Sequence, residues 1–173
     1  MPVSTIPGAG ITTSTTLTTP IVSTTMGVGG ATPSTSGSGI TFPASQSAST
    51  DANTLDDYEE GTWTPTVTSA TGSITSYTVQ TATYTKIGRS VTVNVQFTIT
   101  NNGTGGFRID ILNSLPFTTL SGVIFQGAGR ENQTTGFMVM VQCGGLNMLL
   151  WKTDNSYPGG TGNVLIATCT YFV

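Results

Sequence analysis

Apolar and polar residues alternate without a break through the middle of the chain. Val91, Val93, Val95, Phe97 and Ile99 take one parity, and Thr92, Asn94, Gln96, Thr98 and Thr100 take the other. Successive side chains of a strand point to opposite faces, so this run predicts a strand of about ten residues with one buried and one solvated face. Tyr77 to Thr85 alternates more loosely before it, and Lys86-Ile-Gly-Arg89 predicts the hairpin turn between the two. Asn101-Asn-Gly103 supplies an Asn-Gly turn signal after it. The next strand is expected to place Phe107, Ile109 and Ile111 on one face and Arg108 and Asp110 on the other. Leu115-Pro-Phe117 interrupts the pattern as a loop.

Val123-Ile-Phe125 and Phe137-Met-Val-Met-Val141 are continuous apolar runs, expected to be strands covered on both faces. Gly144-Gly145 turns into Leu146 to Lys152, and Asp154 to Gly160 reads as a loop. Asn163 to Val173 is the last strand, apolar to the end, which predicts that this end is tucked into a sheet. No segment carries a helical period. About eight short strands separated by turns predict an all-β fold, an antiparallel β-sandwich of jelly-roll type.

The first fifty residues differ. Met1 to about Thr50 is rich in Thr, Ser, Gly and Pro and has no charged side chain. It lacks the apolar area to offset its own ordering entropy, so it is not expected to fold alone. Val3, Ile6, Ile11, Leu17, Ile21 and Val22 nevertheless punctuate it, as in an arm that lies extended on another protein. A flexible linker is the plainer reading of the same composition. The expected organisation is an anchoring arm over 1–50, an acidic hinge over 51–61 and a β-sandwich head over 62–173.

Charge narrows the function. Only 8% of the 173 residues are charged, against about 25% in an ordinary globular chain, and the net charge is −3. Lys86, Arg89, Arg108, Arg130 and Lys152 are scattered, which argues against nucleic acid and anionic membranes. No apolar run reaches the ~18 residues of a membrane span, and the first residues do not read as a signal peptide. Assembly inside a cell is therefore expected. Histidine is absent, removing the commonest general base and metal ligand. Cys143 and Cys169 are too few for a thiolate zinc site; they read as buried free thiols or as one bridge between neighbouring strands.

A resemblance appears at Asn53-Thr-Leu-Asp-Asp-Tyr-Glu-Glu-Gly-Thr-Trp-Thr-Pro65 and Tyr84-Thr-Lys-Ile-Gly88. With Gly39-Ile-Thr-Phe-Pro-Ala44, Leu115-Pro-Phe117 and Tyr171-Phe-Val173, these runs resemble a module at the C-terminal end of bacteriophage tail-fibre and other virion appendage proteins. The resemblance implies a trimeric β-sandwich at the outer end of a virion structure, assembled in the host cytoplasm. It implies host-surface recognition, with a surface glycan as the candidate ligand. The arm would then dock on another virion protein of the tail, adaptor or capsid. A capsid decoration or head fibre is the alternative, favoured by the short arm, and a glycan-degrading depolymerase is the second.

Leu55, Asp56, Asp57, Tyr58 and Trp63 are the candidates for the trimer base and hinge. Tyr58 and Trp63 either plug the base where three chains meet, or Trp63 caps its own core. Asp56, Asp57, Glu59 and Glu60 would form a solvated acidic collar. Candidate receptor-contact loops hold Asp154, Asn155 and Tyr157, which combine an aromatic with short polar groups, and second Arg130 and Asn132. No catalytic residue, metal site or cofactor is expected. The two carboxylates of glycoside hydrolysis are not singled out by spacing among Asp56 to Glu60, Asp110, Glu131 and Asp154.

Overall fold

The computed structural model describes residues 25–173. The arm residues Val3, Ile6, Ile11, Leu17, Ile21 and Val22 lie outside the described residues. The chain divides after Pro43 into two units. In the first, β1 (Thr25–Gly27) pairs in parallel with β2 (Gly39–Thr41). In the second, Ala44–Val173, nine strands form one sheet. They are β3 (Tyr58–Thr62), β4 (Val67–Thr71), β5 (Ser76–Ile87), β6 (Ser90–Asn101), β7 (Gly106–Ile111), β8 (Phe125–Glu131), β9 (Met138–Gly144), β10 (Asn147–Lys152) and β11 (Val164–Phe172). Every pairing in this sheet is antiparallel, in the order β3-β5-β6-β11-β8-β9-β10-β7-β4. No described residue is helical.

The sheet curls on itself. Its two edge strands, β3 and β4, are consecutive in sequence, joined by Trp63 to Thr66. Five residue steps span at most about 17 Å, so the edges must lie near one another there. Trp63 N donates to Ala82 O (3.1 Å) and Leu112 N to Thr66 O (3.1 Å), carrying each edge pairing to the corner. Gly127 and Gly129 on β8 show how closely the sheet is drawn in. A Cβ at Gly127 would stand 2.2 Å from Thr168 O, and one at Gly129 would stand 2.3 Å from Ile166 O. Only glycine lets β8 approach β11 that tightly.

The interior is the apolar parity of each strand. Val91, Val93, Val95, Phe97 and Ile99 are buried as their alternation predicts. Leu165, Ala167, Cys169 and Tyr171 of β11 lie beside them on the same face, with Val139, Val141, Met148, Leu150, Ile109 and Ile111 from the other strands. The β5–β6 hairpin turns at Gly88-Arg89, with Gly88 at φ 54°, as a two-residue loop requires. The last strand is central, between β6 and β8.

Four expectations need correction. Asn101-Asn-Gly103 does turn, with Gly103 N donating to Asn101 Oδ1 (2.9 Å), but it closes no hairpin. β6 and β7 are not neighbours; the link carries the chain across to β10 and β4. Val123 and Ile124 are exposed and precede β8, whose glycine-rich body gives no apolar signal. Phe137–Val141 is covered on one face only: Val139 and Val141 are buried, while Met138 is exposed. Last, Phe107 does not join Ile109 and Ile111. It sits at φ 68° and is 56% exposed. Between Ser69 and Thr71 of β4 the β7 register advances from Ile109 to Gly106, three steps against two. That is a β-bulge, and it turns Phe107 outward at a backbone cost of about 1–3 kcal/mol.

Candidate functional site

Strand periodicity sorts the acidic run. Because β3 alternates, Asp57, Glu59, Gly61 and Trp63 share the inner parity and Tyr58, Glu60 and Thr62 the outer one. Tyr58 and Trp63, an odd number of residues apart, therefore cannot fill one site. Trp63 is buried in its own domain's core and its Nε1 donates to Thr83 O (3.3 Å). Tyr58 is exposed and donates to Glu60 Oε1 (2.5 Å), a bond that raises its phenol pKa.

Nor is Asp57 part of a solvated collar. It is 5% exposed and forms an ion pair with Lys86, itself 2% exposed, on β5. Lys86 Nζ also donates to Gln46 Oε1 (3.2 Å) and lies 5.5 Å from the Phe117 ring centre. Gly88 N donates to Asp57 O (2.8 Å). Tyr84 completes the group, donating to Glu59 Oε1 (3.2 Å) and meeting Phe117 edge-on at 5.4 Å. Burial, then the Glu59 charge, push the Tyr84 phenol up. Asp56 accepts from Ser49 N (2.8 Å), and this bond holds its carboxyl below the usual value. The two motif runs of the sequence are thus the two sides of one ladder, Tyr58↔Ile87 through Thr62↔Thr83. Together they make a polar lock that ties residues 46–57 to the sheet.

Beside this lock one rung of the outer face is largely apolar. Tyr58, Ile87, Ser90 and Phe172 stand in successive register on β3, β5, β6 and β11. Tyr58, Ile87 and Phe172 are exposed, as is Leu55 nearby in sequence.

The receptor-loop candidates fall in two places and mostly serve their own loops. Arg130 is on β8, exposed, with Nε donating to Glu131 O (3.2 Å). Asn132 follows in the loop, its N donating to Val164 O (2.8 Å). Asp154 Oδ1 accepts from Ser156 N (2.9 Å) and Oγ (2.6 Å), which lowers its carboxyl pKa. Asn155 turns the chain at φ 62°. Tyr157 is no exposed aromatic: its hydroxyl donates to Asn102 Oδ1 (2.7 Å), and burial pushes its pKa to about 12.

Two features escaped the sequence. Glu131 is fully buried and accepts backbone N–H bonds from Gln133 (2.9 Å), Thr134 (2.8 Å), Thr135 (2.6 Å) and Gly136 (3.0 Å). Burial pushes its carboxyl up, but these bonds together hold it well below the carboxylate range. The Glu-Asn-Gln-Thr-Thr-Gly run, an acid followed by turn-forming residues, was the only available hint. The second feature is the outward turn of Phe107, for which Gly105-Gly106 was the hint.

Cys143 and Cys169 are buried free thiols on β9 and β11, with β8 between those strands. The neighbouring Cys169 thiol, then burial, push Cys143 up. Among the described residues no cluster of three His, Cys, Asp or Glu could hold a metal, and no helix is long and apolar enough to cross a membrane. No protein family, no curated protein and no solved structure matches this chain.

Proposed function

We propose that the protein is a bacteriophage virion appendage, a short trimeric fibre whose N-terminal arm anchors it and whose β head meets the host surface. The observation that carries this reading is the lock. Lys86, Asp57 and Gln46 tie the segment that enters the head to the sheet itself, as an anchored head requires. The curled sheet then serves as the jelly-roll-type sandwich of such heads. Three copies would meet through the exposed rung of Tyr58, Ile87 and Phe172, an apolar surface beside the lock. The arm would order on the capsid, tail or adaptor protein that receives it.

Immunogold labelling of purified particles with antibody against residues 44–173 tests the reading. Label at tail tips supports a host-binding fibre, label over the head supports a capsid decoration, and bare particles overturn both. Sedimentation tests the trimer: Ile87→Glu should convert a three-fold species to monomer, since a charge on the rung would have to be buried unpaired. A wild-type chain that sediments as monomer would refute this interface.

A further inference from the structure

The outward face of β7 carries a feature that the lock and the rung do not use. By strand parity Phe107 belongs inside with Ile109, yet the bulge and its φ of 68° turn it out. Glycine adopts that conformation freely, and Gly105 and Gly106 stand immediately before it. A strained phenylalanine that is 56% exposed is therefore being presented, not packed. Beside it, the Arg108 guanidinium lies 5.6 Å from the Phe107 ring centre and 5.5 Å from that of Trp151 on β10. Arg108 Nε donates to Asp110 Oδ1 (2.6 Å) and Nη2 to Oδ2 (3.4 Å). Asp110 is buried while the arginine side chain is 30% exposed. An aromatic, a forked donor and a second, partly buried aromatic thus form one platform.

We infer that this platform binds a neutral saccharide. Ring faces take the C–H face of a sugar at little entropic cost. The guanidinium fork has N–H groups beyond those given to Asp110, and these suit sugar hydroxyls. Asp110 neutralises the arginine, so an acidic ligand would find no net positive charge to favour it. A peptide strand would find no ladder to extend along Ile109–Ile111, where β7 is paired on both sides, with β4 and β10. The inference rests on the head meeting a host surface and gives that contact a ligand class. Three such platforms would gain avidity from weak single sites.

Full-length fluorescent protein on an array of neutral and acidic glycans tests it. Wild type should bind neutral hexose or N-acetylhexosamine glycans. Phe107→Gly should bind at least about tenfold more weakly while melting at the wild-type temperature or above, because glycine relieves the backbone. Arg108→Lys, which keeps charge but loses the fork and the stacking, should also bind more weakly. A blank array, binding to acidic glycans alone, or undiminished binding by Phe107→Gly would overturn the inference. Particle labelling and sedimentation are read separately. A blank array with labelled trimeric appendages removes only the platform, whereas bare particles with array signal that Phe107→Gly abolishes remove only the virion reading.

Discussion

Among the buried carboxylates of this sheet, Asp57 and Glu131 are satisfied in opposite ways. Asp57 has a cation, Lys86, 29 residues away on the neighbouring strand. Glu131 has the backbone N–H groups of four successive residues, Gln133 through Gly136. A side-chain partner couples segments that are distant in sequence; backbone partners organise one loop. The first is a fastening between the entering segment and the sheet. The second shapes the β8–β9 turn and, among the described residues, reaches elsewhere only through Val164 N (3.3 Å). Equal burial therefore predicts unequal consequences.

The largest effect is expected at the fastening. Lys86→Met keeps the stem that lies under Phe117 but leaves Asp57 buried without its charge partner. The loss should be about 3–5 kcal/mol in urea unfolding at fixed protein concentration. Adding Asp57→Asn should recover a large part of it, since the uncompensated charge is what costs. Hydrogen exchange should report faster opening of residues 46–57. If Lys86→Met costs less than about 1 kcal/mol, the pair is solvated and the contrast with Glu131 disappears.

Next comes Glu131→Gln, which should cost about 2–3 kcal/mol at pH 7. The amide's NH₂ would face N–H groups that now meet an oxygen. Faster exchange should be confined to Gln133 through Gly136. Acid sharpens the difference. The folded Glu131 carboxyl titrates below its unfolded value, so the unfolded chain binds the proton first as pH falls. Its contribution is complete above about pH 5 and declines as pH drops toward 2, by at most about 1.4 kcal/mol per pH unit. Glu131→Gln should flatten that part of the urea-midpoint profile and leave the slope from Asp56 and Asp154, also held low. An unchanged profile would mean that Glu131 is not held ionised.

How far each feature was legible follows from its range. Alternation is local, and Val91 to Ile99 declared both strand and face. The Lys86-Ile-Gly-Arg89 turn was equally plain. The acidic run was visible, but its division into inner Asp57 and outer Tyr58 depended on β3 being a strand, and five residues rich in Glu and Gly carry little strand propensity. The Lys86 partnership depended on pairing across the ladder, which composition does not encode. Glycine-rich β8 was hidden because its inward positions are empty for close approach, so no apolar parity remained. Phe107 was misplaced for the opposite reason: its parity was clear, and the bulge overrode it.

The smallest expected effect lies at a third buried polar group, one satisfied in neither way. Tyr171 is fully buried at the centre of the sheet, and among the described residues its hydroxyl has no hydrogen-bond partner. Burial pushes its phenol pKa up, against a smaller lowering by the nearby Phe117 backbone. An orphan hydroxyl is already without its water bonds in the folded state, and removing it gives up no interaction. Tyr171→Phe should therefore leave stability unchanged or raise it by up to about 1 kcal/mol, with the ring still packed against Phe125 at 6.3 Å. A loss greater than that in urea unfolding would show that the hydroxyl has a partner in solution. Tyr171 would then join Asp57 and Glu131 among groups whose burial is compensated. A gain would make it the uncompensated reference against which the lock and the loop are measured.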